Sequence, residues 1–314
     1  MTTLRDSFNA LAPESLARSP TLPTSHREGI SATQPCRSGP DGQSLSQGHS
    51  GGGHQRVPHA CGNRHWPQCQ QHITQPWLEP HLEQQRPGPS CLLTCTVPET
   101  LRPFLRSHQR LAYHALLHAS TTARKRLAQD TPFIGTALPG CTGVLHTWGR
   151  QLQYHPPMHS LVPGGGPSED RTTWRPATAN FFVPVTALSP ISRALFKEDM
   201  RPAGLLEHID PQVWTIPWHV QRRANHHGHS ACTSRAPSVC RVAISNPRLV
   251  SLTDRTVTFP SRQVGSARPR TTPFDVMACI RRFLSMSCPT AACKADTSAF
   301  SMPAVPSLST PSAG

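Results

Sequence analysis

The chain has 314 residues, with 31 Lys+Arg against 17 Asp+Glu and a formal net charge of +14 at pH 7. That excess favours a polyanion partner, nucleic acid above all, and no apolar run approaches the length of a membrane span. Leu, Ile, Val and Phe make up about 19% of the chain and Pro occurs 34 times, so the core is thin and the composition allows large parts to be disordered.

Met1 to Ala12 lacks the apolar stretch of a secretory signal. The expected compartment is therefore the cytoplasm, where the 11 cysteines stay reduced or metal-bound. Residues 1–25 are rich in Ser, Thr, Pro and Arg and are expected to form a disordered lead-in. Residues 26–75 carry a Cys/His-rich block, punctuated by Gly51-Gly52-Gly53. Structural zinc needs four Cys or His ligands, usually in close pairs. The candidates are His59, Cys61, His65 and Cys69, with Cys36, His49 and His54 nearby, but no Cys-x-x-Cys pair occurs.

Between Phe104 and Gln129 the spacing predicts a helix, with Ala112, Leu116, Ala119, Ala123 and Leu127 as a buried stripe. Arg106, Arg110, Arg124, Lys125 and Arg126 fall off that stripe, where a solvated face explains them better than phosphate contacts do. Strands are expected at Thr142 to Trp148, Met158 to Val162, Phe181 to Val185, Arg241 to Ser245, Leu249 to Leu252 and Thr256 to Phe259. Thr253-Asp254-Arg255 suits a hairpin turn between the last two. Ser189-Pro190 reads as a helix start, with Ile191, Ala194 and Leu195 as its face and Gly204 as its stop. A further helix follows Asp275, with Val276, Ile280, Phe283 and Leu284 inward. After Pro289 the pattern dissolves into small residues, Ser and Pro.

Three histidines, His146, His155 and His159, fall within fifteen residues. His155 and His159 are four apart, so a strand would put both on one face, where a divalent metal could polarise a phosphate. Histidine is common in this chain, so incidental surface residues are the competing explanation.

The phrase Tyr154-His155-Pro156-Pro157-Met158-His159, followed by Val162-Pro163-Gly164-Gly165-Gly166, resembles the metal motif of the HUH rolling-circle transposases with two catalytic tyrosines. That motif reads roughly Tyr-His-Pro-His-aliphatic-His and then Val-Pro-Gly-Gly-Gly. Pro157 stands where its first paired histidine is expected. The family's zinc-binding module ends close to Cys-Gly-Asn-Arg-His-Cys-Pro-x-Cys. This chain has Cys61-Gly62-Asn63-Arg64-His65-Trp66-Pro67-Gln68-Cys69, with Trp66 at a cysteine position. Gly48 and Gly51 stand where the family has an upstream Cys-x-x-Cys pair. The family's nucleophiles lie in a phrase like Tyr-Leu-Ala-Pro-Tyr, leading into Arg-Val-Ala-Ile-Ser-Asn. Here Ser234-Arg235-Ala236-Pro237-Ser238 leads into Arg241-Val242-Ala243-Ile244-Ser245-Asn246, so Ser234 and Ser238 occupy both tyrosine positions. Serine needs an activating base and holds its oxygen nearer the backbone than a phenol does.

The alternation of strands and helices fits an α+β fold. The resemblance implies an antiparallel HUH-nuclease-like sheet with helices over residues 90–286, preceded by an eroded zinc-ribbon-like module over 26–75 and followed by a disordered tail over 287–314. It further implies single-stranded DNA as partner, Mg²⁺ or Mn²⁺ held through His155 and His159, and zinc held through His59, Cys61, His65 and Cys69. No membrane and no small-molecule substrate are expected. The implied activity is single-stranded DNA cleavage and strand transfer for rolling-circle transposition, impaired by the changes at Pro157, Ser234 and Ser238. The alternatives are a non-catalytic DNA-binding remnant and an unfolded product of a decayed transposase gene.

Overall fold

The computed structural model describes residues 9, 13–14, 17, 24–36, 43–47, 54–59, 90–130, 133–136, 140–149, 152–168, 172–177, 184–225, 250–253, 255–261 and 270–285. In chain order the elements are α1 (Thr24–Thr33), β1 (Gln43–Gln47), β2 (His54–Pro58), β3 (Ser90–Thr96), α2 (Arg102–Ser107), α3 (Gln109–Gln129), β4 (Thr142–Leu145), β5 (Met158–Pro163), β6 (Gly165–Pro167) and β7 (Trp174–Pro176). They continue with α4 (Val185–Met200), β8 (His219–Asn225), β9 (Ser251–Thr253), β10 (Thr256–Ser261), β11 (Arg270–Asp275) and α5 (Val276–Ser285). Every strand pairing among the described residues is antiparallel, and with the helices this gives an α+β fold. The described residues cluster in two units, one drawn from 1–76, 147–154 and 240–288, the other from 77–146 and 155–239.

The second unit is built on a four-stranded sheet in the order β4-β5-β3-β8. β3 alternates cleanly: Cys91, Leu93 and Cys95 are buried, while Leu92, Thr94 and Thr96 are half-buried. Residues directly paired across strands share a face. Cys95 with Met158 and Cys91 with Val162 therefore lie on the face covered by helix, and Thr94 with His159 on the other. α3 packs against β4, β5 and α4, and α4 against β8. Phe196 of α4 is fully buried, with its ring edge-on to Trp218 at 5.4 Å.

The expected helix over Phe104 to Gln129 is two helices, broken at His108 (φ −119°, ψ 42°). At the break, side chains compete with the backbone for its acceptors. Ser107 Oγ donates to the carbonyls of Pro103 (3.2 Å) and Phe104 (3.0 Å), and His108 Nδ1 lies 3.3 Å from the latter. The stripe of Ala112, Leu116, Ala119, Ala123 and Leu127 is buried as expected. Arg124 is not on a solvated face: it is 2% exposed, and its guanidinium donates to Cys141 Sγ (2.7 Å) and to the Gly140 carbonyl (3.4 Å). The wide interface of α3 with both the sheet and α4 takes in more than one helical stripe, so a cation at its edge becomes enclosed.

α4 begins at Val185, not at Ser189-Pro190, and Pro190 lies inside it. The Pro184 carbonyl accepts from the amides of Ala187 and Leu188, so the helix is nucleated one turn earlier. Leu195 is inward as expected, Ile191 is half-buried and Ala194 is exposed. Gly204 follows the helix with φ +66°, the left-handed conformation that suits glycine at a helix stop. The strand expected over Phe181 to Val185 has Val185 in this helix, and residues 181–183 lie outside the described set. Of Thr142 to Trp148, only Thr142–Leu145 is strand, with one isolated bridge from Trp148 to Tyr154.

In the first unit, β9, β10 and β11 form a three-stranded sheet, and Thr253 pairs with Thr256 across the expected turn. α5 starts where Asp275 Oδ1 accepts from the Ala278 amide (3.0 Å), an N-cap bond. It buries Val276, Met277, Cys279, Ile280, Phe283 and Leu284, and α1 packs against it. β1 and β2 make a separate hairpin. Positions 9, 13, 14 and 17 of the lead-in are helical, and Glu14 accepts from Arg255 Nη2 at 2.5 Å. The strand expected over Arg241 to Ser245 lies outside the described residues.

Candidate functional site

His159 sits in β5 with Thr94 opposite it on β3 and Val144 opposite it on β4. Its Nδ1 lies 3.0 Å from Thr94 Oγ1. That contact fixes the ring and leaves Nε2 as the ring nitrogen able to bind elsewhere. Burial pushes the imidazole pKa down to about 4, with the nearby His155 adding to the shift. His155 precedes the strand, outside any helix or strand. Its pKa is also lowered, first by burial and then by Arg102, with Glu99 opposing. Both rings are therefore neutral near pH 7, the form in which imidazole binds metal.

The expectation that one strand carries both histidines is not met, because β5 begins only at Met158. Pro156 and Pro157 explain this, since neither has an amide to give to a ladder. Pro157 is buried and its carbonyl accepts from the His146 amide (3.1 Å), so the backbone here closes on β4. That bond brings in His146, the third histidine of the cluster, whose buried ring meets His159 edge-on at 4.7 Å. The spacing of His146 from the other two gives no hint of this, because the pairing of β4 with β5 creates the contact.

Among the described residues no three His, Cys, Asp or Glu side chains converge to hold a metal ion. The described residues thus offer neutral imidazoles but no complete ligand set. Cys91 and Cys95, on the helix-covered face, have thiols pushed up to about 12 by burial, which makes them inert packing residues.

The Gly-rich phrase after β5 has a packing role. Gly165 (φ +158°) lies so close to the Arg175 carbonyl and the Trp174 ring that a Cβ would clash, and a Cβ on Gly166 would strike Thr136. These contacts let β6 pair with β7 directly beyond the His159 strand. Arg175 Nη1 donates to the Gly135 carbonyl at 2.5 Å.

Ser234 and Ser238 lie outside the described residues, as do Cys61, His65 and Cys69. His59 is exposed, with Nε2 2.8 Å from Ser44 Oγ, and Cys36 is buried after α1. Tyr113 is fully buried in α3 and so is closed to a DNA phosphate. Tyr154 is half-buried at the end of the turn that bridges to Trp148, a turn in which Leu152 adopts φ +59°.

Residues 140–294 match a protein-family model described as "Putative transposase", and residues 7–97 match one described as "Transposase zinc-binding domain". The "Putative transposase y4qJ" of Sinorhizobium fredii is 32% identical over 199 residues, 63% of this chain and 50% of that protein. The chain thus spans about half the length of this curated relative. No solved structure matches it. Among the described residues, no helix is long and apolar enough to cross a membrane. The two matches together take in the Cys/His block, the histidine cluster and the region of the two serines, and the chain belongs to the two-tyrosine transposase family of insertion sequences that carries an N-terminal zinc-binding domain.

Proposed function

We propose that the protein binds single-stranded DNA at the His159-bearing face of the β4-β5-β3-β8 sheet, as a rolling-circle transposase of the HUH kind, and that its cleavage and strand-transfer chemistry is impaired. The observation that carries this reading is Pro157. It occupies the position of a metal-ligating histidine in the family motif, and its carbonyl is committed to the His146 amide. In the family a tyrosine oxygen attacks the scissile phosphorus, a 5′-phosphotyrosine bond forms and the 3′-oxygen leaves. Ser234 and Ser238 supply no phenol for that attack.

The test is incubation of the full chain with a single-stranded oligonucleotide carrying an insertion-sequence end, in Mg²⁺ or Mn²⁺. The expected result is no covalent adduct from the natural chain, and an adduct after Pro157→His is combined with Ser234→Tyr and Ser238→Tyr. An adduct with the natural chain at a rate matching that variant would refute the impairment.

A second reading, a non-catalytic DNA-binding remnant, draws on β8. Arg222 and Arg223 are exposed on this edge strand, and Arg223 pairs with Leu92, which puts it on the same face as His159. Binding through such residues falls steeply with salt and shows little sequence preference. Binding that is insensitive to salt would count against it. For the N-terminal block we propose weak zinc binding or none, because Trp66, Gly48 and Gly51 replace cysteines of the family pattern. One tightly held zinc per chain in equilibrium dialysis would overturn this.

A further inference from the structure

In the second unit, the break between α2 and α3 opens onto a cavity of about 390 Å³. Its lining includes Thr100, Phe104, Ser107 and His108 from the helical side, and His208 and Asp210 from the segment after α4. The volume lies at the lower end of small-ligand sites and accommodates one nucleobase with part of its sugar. The composition is that of a base pocket rather than a phosphate site: its described lining residues offer aromatic surface and hydrogen-bonding groups, with no Lys or Arg among them.

The aromatic part is organised before any ligand arrives. The His108 ring stacks on Phe104 with centroids 4.6 Å apart and planes 27° apart. Its Nδ1 is held by Ser107 Oγ (3.0 Å) and lies near the Phe104 carbonyl (3.3 Å). Flat rings fixed in this way are what unstacked bases pack against in single-stranded nucleic-acid sites. The opposite wall carries a carboxylate. Asp210 Oδ1 accepts from the Gln212 amide (2.8 Å), which holds the side chain in place. A carboxylate has further lone pairs and only accepts, so it selects bases that present N–H groups. Guanine offers two adjacent donors, N1–H and the N2 amino group. Adenine and cytosine offer an amino group, whereas thymine presents a single N–H flanked by carbonyls that repel a carboxylate.

We infer that this cavity takes one unstacked base of a single-stranded DNA, guanine by preference and thymine least, stacked with His108 and hydrogen-bonded to Asp210. The inference rests on the proposal that the protein binds single-stranded DNA. The cavity adjoins the histidine cluster along the chain: Glu99 and Arg102, whose charges act on His155, flank Thr100. A base held there would fix the register of a strand passing His159.

The test uses the full chain and fluorescently labelled thymine oligonucleotides that are identical except for one internal guanine, at low salt. The expected result is about tenfold tighter binding of the guanine strand, the scale of a good bidentate base contact. Asp210→Asn should remove most of that preference, and His108→Ala, which takes away the stacking ring, should weaken binding of the guanine strand. Asparagine also caps helical turns, so the first variant keeps the local fold. Equal binding of the two strands would overturn the inference and leave single-stranded DNA binding intact. If neither strand binds, single-stranded DNA binding is refuted, and dGMP and dTMP titrated separately decide the pocket. Amide NMR shifts selective for dGMP and lost in Asp210→Asn support it, and equal or absent shifts overturn it.

Discussion

Strand β3 in the second unit and hairpin β1–β2 in the first have similar lengths, but they meet very different surroundings. β3 buries Cys91, Leu93 and Cys95 and has a strand on each side. Among the described residues the hairpin pairs only with itself, and Leu45 is 64% exposed and Val57 43%. A two-stranded hairpin is marginal in water unless something packs on it. In a zinc-binding domain the metal supplies that missing stabilisation, and three positions at which the family pattern has cysteine are Gly48, Gly51 and Trp66 here. Apolar burial tolerates scattered substitution, whereas a metal site depends on each member of its ligand set.

The largest effect is expected from emptying the better-packed side. Phe196→Ala removes a fully buried ring that contacts Trp218, and such truncations cost about 3–5 kcal/mol. Urea unfolding should show that loss in the second unit. A loss below about 1 kcal/mol would mean that α4 is not part of a packed core.

Acid probes the same side through His159. Its pKa falls from 6.5 to about 4 on folding, so between those values the unfolded chain binds more protons. Stability is therefore undiminished above pH 6.5 and is lost as pH falls toward 4, by roughly 2–3 kcal/mol at most. His159→Gln should flatten that part of a stability–pH curve, and an unchanged slope would show that other groups carry it.

A smaller effect is expected at the C-terminal helix of the first unit. Asp275→Ala removes the cap on the Ala278 amide and should cost about 1 kcal/mol, with Asp275→Asn largely restoring it. Amide exchange in α5 is the direct measurement. The smallest effect is expected where the hairpin lies. Added zinc should leave proton–nitrogen NMR peaks of residues 43–59 almost unmoved in the natural chain. Restoring cysteine at 48, 51 and 66 should produce zinc-dependent peaks, and a strong response in the natural chain would show that its histidines complete a site.

Much of the architecture could be read locally. The stripe Ala112, Leu116, Ala119, Ala123 and Leu127 is inward because helical spacing aligns it, and Asp275 caps α5 through a bond only three residues long. The β9–β10 turn follows equally from its neighbours in sequence. Pro190 misled for the same reason: its preference for a helix start is local, while nucleation at Pro184 set the actual beginning.

The family, the α+β class and the positions of the changed motif residues are legible in the sequence, because these depend on residue identity and short-range spacing. Tertiary packing alone sets the edge-on contact of His146 with His159, encloses Arg124 beside Cys141, and brings His108 and Asp210 to one cavity. Those pairs meet through strand register and helix packing, which bring together residues whose separation along the chain carries no periodic trace of the contact.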